Sequence, residues 1–277
     1  MTTATLPTRS VPALARPDTH RPLFSDVVRS EWLKLRSVRS TYWTLLVTAL
    51  AMIGLGALFC ATFVSHHDGF DLIGFNATAQ SLGGFFLAQL AVGVLGVLVM
   101  SSEYSTGSIR STLTSVPQRH LVLAAKAVVF FSVTAAVAIP TAFISWFAGQ
   151  AILSGKGFEA HLGDPGVIRS IVGIALYLAV LGLLALGLGT MLRRTAGAIA
   201  AVVFLVLLLP GIVAALPQSW QTSIDPYLPS YAGAAIMGPS RLGPSNVLGP
   251  WAGFALFCGY ALVSLLGAAY VLHRRDA

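Results

Sequence analysis

Residues 100–130 read MSSEYSTGSIRSTLTSVPQRHLVLAAKAVVF and lie between two long apolar runs. The polar and charged members of this stretch include Glu103, Tyr104, Arg110, Arg119 and Lys126. A helix that crosses a bilayer cannot continue through so many charges, because each is costly in hydrocarbon. The chain is therefore expected to leave the membrane within this connection and to re-enter it near Leu121.

The rest of the sequence indicates a membrane protein. Hydrophobic residues make up 56% of the chain and charged residues only 10%, whereas a soluble domain carries about 25% charged residues. A soluble helical core would need charged outer faces, which the apolar runs lack. Uncharged runs of about 20 residues suffice to cross the bilayer. We predict an all-α polytopic fold with six transmembrane helices, at about 41–64, 81–100, 121–147, 167–192, 196–216 and 250–272.

The N-terminal region divides into two parts. Residues 1–22, rich in Thr, Pro, Ala and Arg, are predicted to be a disordered tail. Residues 23–277 form the predicted six-helix domain, and it begins with an amphipathic helix at 23–40, capped by Ser25, that lies in the membrane interface. Its members include Trp32, Lys34 and Arg36.

Three charged or polar side chains in these helices need partners. Glu31 lies near the middle of the apolar stripe of the first helix, where it either leans out to water, pairs with a nearby base such as Lys34, or pairs with a basic residue of the 100–130 connection. Gln89, at the centre of the second span, predicts either a helix–helix hydrogen bond or a place in a substrate pathway. Lys126 is close enough to the start of the third span to snorkel to the membrane surface.

The basic residues predict the orientation. Six spans place both termini on one side, together with 14 of the 17 Lys and Arg residues. The positive-inside rule therefore predicts cytoplasmic N- and C-termini in a plasma-membrane protein. The net charge of +7 reflects this topology and attraction to anionic lipid. It does not indicate nucleic-acid binding, because the chain has no soluble basic arm with stacking aromatics.

The 101–120 connection is expected to form a short polar helix that begins at Ser105 or Thr106 and ends at Pro117. Such a helix, held between two spans, suits the transmission of force from a soluble partner. An ordinary loop of this length would also contain charges and a proline, so the residues alone leave both interpretations open.

Three short motifs in the sequence resemble those of a known protein family. EYSTGSIRSTL at 103–113, VPQR at 116–119 and then Lys126 resemble the cytoplasmic loop of ABC-2-type transporter permeases, the membrane subunits of ATP-binding-cassette exporters. SEWLKLR at 30–36 is similar to the family's connecting helix, and YLPSYAG at 227–233 resembles an outer-loop segment of actinobacterial members. Ser108 departs from the pattern, since many relatives have Thr or a bulkier residue there.

The resemblance implies a coupling helix that docks on a separate soluble ATPase subunit, and a second permease protomer, identical or different, that completes the translocation path. Glu103 and Arg110 would be charged anchors, Gly107 a point of close approach, and Arg119 and Lys126 contacts to lipid or partner. The residues assigned to coupling are Glu103, Tyr104, Thr106, Gly107, Arg110, Pro117 and Arg119.

No catalytic residue, metal or cofactor is expected in this chain, because it lacks the phosphate-binding pattern GxxxxGK[ST] and ATP would be bound by the partner. An ATP-independent secondary transporter and a membrane anchor or immunity protein are the alternatives. A neighbouring gene that encodes an ATPase with that pattern would exclude them. The sparse polar groups within the spans favour an amphiphilic cargo over a strongly charged one.

Overall fold

The computed structural model describes residues 23–66, 75–108, 118–238 and 248–275, and the elements in these ranges are helical. The predicted disordered tail at 1–22 and residues 109–117 of the 101–120 connection lie outside the described residues. The first half of the chain forms α1 (Phe24–Ser37), α2 (Arg39–His66), α3 (Ala77–Ser81), α4 (Phe85–Ser105) and α5 (Arg119–Leu153), with a 3₁₀ turn at Ser154–Lys156.

The second half begins with α6 (Val167–Leu192) and a fifth span built from α7 (Thr195–Val203), a π-helical turn (Phe204–Leu208) and α8 (Leu209–Ala214). The π turn precedes Pro210, which has no N–H to continue the α-helical bonding. There follow α9 (Gln218–Ile224), α10 (Pro229–Ala234), 3₁₀ turns at Asp225–Tyr227 and Ala235–Met237, and α11 (Pro250–Arg275).

Six helical segments of the described chain are long and apolar enough to cross a membrane: α2, α4, α5, α6, the fifth span and α11. This confirms the predicted all-α fold with six candidate spans. We call the end of the bundle that holds α1 and the last turn of α4 the α1 end, and the other the opposite end.

The helix α6 lies at the centre of the bundle and packs against α4, α5 and α11. Glycines bring α4 and α6 together: a Cβ atom on Gly96 would lie 2.5 Å from the carbonyl oxygen of Gly182. The same interface buries Gln89, whose Oε1 accepts a hydrogen bond of 2.6 Å from the hydroxyl of Tyr177. The structure thus places Gln89 in helix packing between α4 and α6.

The long Pro- and Gly-rich segment after the fifth span is attached to the opposite end. Arg169 donates from Nε to the carbonyl oxygen of Ile236 at 3.2 Å, and Ser170 donates to that of Met237 at 2.9 Å. Tyr260 of α11 donates to the carbonyl oxygen of Tyr227 at 2.8 Å. The described part of this segment contains the short helices α9 and α10 and two 3₁₀ turns.

The helix bounds differ from several of the predicted spans. Ser81 belongs to α3, and the second span begins at Phe85 after a turn. The second span also continues to Ser105, so that Glu103 and Tyr104 lie on the last turn of a spanning helix. Hydrophobicity marks the part of a helix that suits hydrocarbon, whereas the hydrogen-bonded helix can extend beyond it.

The start of α1 also differs from the prediction. The helix begins at Phe24, and the backbone N–H of Leu23 donates to the carboxylate of Asp26 at 3.2 Å. The predicted cap, Ser25, lies inside the helix. The carboxylate in the first turn therefore supplies the capping interaction that we expected from the hydroxyl.

Candidate functional site

Four charged side chains meet at the α1 end of the bundle. Lys126 of α5 donates to Glu31 Oε2 at 2.6 Å and to Glu103 Oε1 at 2.9 Å. Lys34 donates to Glu31 Oε1 at 2.8 Å and contacts Glu103 Oε1 at 3.3 Å. We call these four residues the charge cluster. It joins α1, α4 and α5 and contains two carboxylates and two ammonium groups, so its formal charge is zero.

Local packing brings α1 to this position. Val27 of α1 packs against Val122 and Ala125 of α5 in a small buried apolar cluster. Glu31 lies one helical turn after Val27 and therefore on the same face of α1. Lys126 follows Ala125, so the apolar contact also brings Glu31 and Lys126 together.

Burial makes the cluster energetically important. Glu31 and Lys126 are each 4% exposed and Glu103 is 9% exposed, whereas Lys34 is half-buried at the rim. Charges removed from water are costly unless they are paired, and loss of one partner leaves the others uncompensated. The cluster is therefore stable as a unit, and each member depends on the others.

The pKa values of the two α1 members follow this pairing. Burial raises the pKa of Glu31, but the neighbouring Lys126 and Lys34 outweigh it and hold this pKa below its ordinary value. Burial lowers the pKa of Lys34, but Glu31 and Glu103 outweigh it and raise this pKa above its ordinary value. Both groups are therefore charged at neutral pH, which preserves the pairing.

The ion pairs test two predictions, the partner of Glu31 and the position of Lys126. Glu31 makes both contacts that the sequence left open, because one oxygen bonds Lys34 and the other bonds a base of the 100–130 stretch, Lys126. The snorkelling position predicted for Lys126 was wrong, because the side chain is buried. Its ammonium is turned into the protein because the carboxylates of Glu31 on α1 and Glu103 on α4 lie within hydrogen-bond distance of it.

A cavity of about 410 Å³ lies beside the cluster, between α1, α2, α4 and α5. Glu31, Lys34, Glu103 and Lys126 all contribute to its lining. The oxygen Oε2 of Glu103 is buried and accepts no hydrogen bond from the described residues. Within the described part of the chain, one carboxylate oxygen of the cluster is thus left without a donor.

The last turn of α4 is also attached to the turn between α6 and the fifth span. The guanidinium of Arg193 lies 5.3 Å from the ring centroid of Tyr104, a cation–π distance. Thr195 donates its hydroxyl hydrogen to Ser101 Oγ at 3.0 Å. The sequence analysis did not predict these contacts. The signal in the sequence is a pair of arginines, Arg193 and Arg194, in the short connection between two apolar runs.

Arg119 contacts the last spanning helix. Its Nη1 donates to the carbonyl oxygen of Leu272 at 2.6 Å. This carbonyl lies in the last turn of α11, where backbone acceptors lack partners within the helix. The described structure therefore gives Arg119 a contact within its own chain, besides the lipid or partner contact that the sequence predicts.

The other predicted coupling residues are on the surface or outside the described ranges. Thr106 and Gly107 follow α4 and are exposed, and Gly107 has a φ of 71°, which favours glycine. Trp32 and Arg36 are exposed on α1. Arg110 and Pro117 lie outside the described residues, as does most of the short helix predicted from Ser105 or Thr106 to Pro117.

Comparison with known proteins identifies the family. A family model described as "ABC-2 family transporter protein" matches residues 27–219, which is most of the chain and includes α1 to the fifth span. A comparison with curated protein sequences gives no match. With its six candidate spans and its match over α1, α4 and α5, this chain is a membrane protein that belongs to the ABC-2 transporter family.

Proposed function

We propose that this chain is the permease subunit of an ATP-driven exporter in the plasma membrane. A separate soluble ATPase subunit docks on the α1 end, at the segment that follows α4, and supplies the energy of ATP hydrolysis. The observation that carries this proposal is the charge cluster, because it joins the last turn of α4, directly before that segment, to α1 and α5. The absence of GxxxxGK[ST] from the sequence assigns ATP binding to the partner.

The contacts of α4 supply a route for force. A push on the exposed residues Thr106 and Gly107 acts directly on the last turn of α4. Glu103 passes it to α5 through the buried contact with Lys126 and to α1 through the half-buried contact with Lys34. Tyr104 and Ser101 pass it to the turn before the fifth span. Motion of the docked ATPase would therefore tilt several spans together, between inward- and outward-facing states.

The exposed side chains of α1 support an interfacial position for this helix. Phe24, Trp32 and Leu33 are exposed, and so are Arg29 and Arg36. Large apolar groups next to arginines on one short helix suit the boundary between lipid tails and headgroups. With the basic residues concentrated at this end, the α1 end faces the cytoplasm and its anionic lipids.

The outer faces of several spans support association with a second protomer. The fifth span exposes large apolar side chains and is little buried within the described chain: Phe204, Leu207, Leu208 and Ile212. Such a surface contacts either lipid or another permease subunit. We assign the translocation path to the contact of two protomers, identical or encoded by a companion gene.

Two glycines offer a matched test of the docking site. Gly107 at the α1 end and Gly157 at the opposite end have φ values of 71° and 75°, and neither has an atom within 4 Å of an added Cβ. A side chain at either position therefore carries a similar backbone penalty, and its Cβ meets nothing in the described chain. Only Gly107→Trp is expected to obstruct the ATPase.

The experiment co-expresses the chain with the ATPase encoded beside it and measures co-purification and ATP hydrolysis in proteoliposomes. We expect Gly107→Trp to lower permease-stimulated hydrolysis by about tenfold or more, the effect of losing about 1.4 kcal/mol of docking energy. Gly157→Trp should behave as the wild type. Equal activity of both variants would show that the ATPase does not dock at the α1 end. If no ATPase co-purifies, the alternative of an ATP-independent secondary transporter is favoured.

A further inference from the structure

We propose that the cavity beside the charge cluster binds the primary-ammonium headgroup of a membrane amphiphile, and that this ammonium donates a hydrogen bond to Glu103 Oε2. The inference concerns a lipid site within one protomer. It does not depend on ATP hydrolysis, on the partner subunit or on the identity of the transported cargo.

The cavity has the two-sided lining that an amphiphile requires. Its volume of about 410 Å³ falls in the range of small-molecule sites, about 300–1,000 Å³. The charge cluster lies on one side together with hydroxyl groups such as that of Ser102. Leu95, Leu98, Val99 and Val129 line the other side. A polar head and the beginning of a hydrocarbon chain can therefore both be accommodated.

The unpaired oxygen of Glu103 selects the chemistry of the head. Oε1 of this carboxylate accepts from Lys34 and Lys126, whereas Oε2 accepts from no group among the described residues. A buried acceptor without a donor is unfavourable, and a hydrogen bond to a charged group is stronger than one between neutral groups. Because Oε2 itself is shielded, the carboxylate must turn toward the cavity to meet an entering N–H donor. A positively charged donor removes the deficit best.

The charges of the site exclude other headgroups. The two lysines already hold the two carboxylates, and the formal charge of the cluster is zero. An anionic head such as that of phosphatidylglycerol brings acceptors and neutral hydroxyl donors but no positively charged donor for Oε2. A quaternary ammonium carries positive charge but has no N–H. A primary ammonium supplies both, so an ethanolamine head should be preferred over a choline head of the same charge.

The location of the cavity favours a membrane lipid over a soluble amine. It lies where α2 begins and α4 ends, at the level of α1. A ligand without a hydrocarbon chain would bury little apolar area against the apolar side of the cavity. It would therefore lose most of the binding free energy available there. A free headgroup compound should therefore compete poorly with the complete lipid.

The test uses the full-length protein, delipidated in detergent and then exposed to phosphatidylethanolamine, phosphatidylcholine or phosphatidylglycerol with the same acyl chains. Retained lipid is counted by native mass spectrometry. We expect phosphatidylethanolamine to bind about tenfold more tightly than phosphatidylcholine, the effect of one charge-assisted hydrogen bond. Glycerophosphoethanolamine, the same head without chains, should not displace it.

Two variants address the site separately. Glu103→Gln keeps the size of the side chain but replaces the charged carboxylate with a neutral amide, which has one acceptor oxygen and one donor NH₂ group. It should therefore abolish the preference for ethanolamine over choline. Leu98→Trp fills the apolar side without touching the cluster, so it should lower retention of phosphatidylethanolamine. Leu58→Trp, at an exposed position of α2, is the matched control and should retain it as the wild type does.

Three results would overturn the proposal. The first is equal retention of the ethanolamine and choline lipids by the wild type. The second is unchanged retention in the well-folded Leu98→Trp variant. The third is full displacement by glycerophosphoethanolamine, which would make the ligand a soluble amine. Because Leu98 lies outside the charge cluster, its variant remains informative even if Glu103→Gln unfolds.

Discussion

Replacement of Lys126 by methionine is expected to destabilise the protein by about 3–5 kcal/mol, the cost of leaving a buried charge without its partner. Methionine preserves most of the volume of the side chain, so the loss is electrostatic. Glu31 and Glu103 would then lie close together with only the rim residue Lys34 to compensate them. Thermal unfolding of the detergent-solubilised protein, followed by size-exclusion chromatography, measures the effect.

Two comparisons make this prediction specific. Lys156→Met removes an exposed lysine at the opposite end and should change stability by no more than about 0.5 kcal/mol. Lys126→Met combined with Glu31→Gln and Glu103→Gln removes the buried charges together and should recover most of the lost stability. If Lys126→Met unfolds at the same temperature as Lys156→Met, the cluster does not stabilise the bundle.

Replacement of Gly96 by alanine is expected to separate α4 from α6. The added Cβ would lie 2.5 Å from the carbonyl oxygen of Gly182 and 3.0 Å from the Cβ of Ala185. The carbonyl belongs to a rigid helix, so the backbones must move apart. Overpacking of this kind costs about 1–3 kcal/mol, and the shift should also weaken the nearby hydrogen bond between Gln89 and Tyr177.

Gly54 provides the matched control, because it lies within α2 and has no atom within 4 Å of an added Cβ. Gly54→Ala should be neutral or should stabilise the helix by about 0.5–1 kcal/mol, since alanine loses less backbone entropy. The two variants can be compared by thermal unfolding. Equal unfolding temperatures would show that α4 and α6 do not depend on close backbone contact.

Hydropathy predicts the helical spans well because each depends on a local property, a run of residues that suits hydrocarbon. The ends of the spans are harder to predict from hydropathy. Ser81 looks like part of the second span but belongs to α3, and Glu103 looks like part of a loop but lies on α4. Turns and helix extensions at the membrane surface depend on hydrogen bonds that hydropathy does not measure.

The charge cluster shows where sequence reasoning reaches its limit. The helical period places Glu31 on an apolar face, which correctly signals that it needs a partner. The period cannot identify that partner, since Lys126 is 95 residues away along the chain. The direction of the Lys126 side chain likewise depends on which helices surround α5, and the prediction from its depth alone was wrong.

The most direct measurement of the proposed mechanism determines which side of the membrane the α1 end faces. In a variant with Cys60→Ala and Cys258→Ala, single cysteines are placed at the exposed positions Ser105, beside the cluster, and Ser65, at the opposite end. A membrane-impermeant maleimide is then applied to intact cells and to inverted vesicles. We predict labelling at 105 only in inverted vesicles and at 65 only in cells. Labelling at 105 in intact cells would place the charge cluster out of reach of a cytoplasmic ATPase and contradict the proposal.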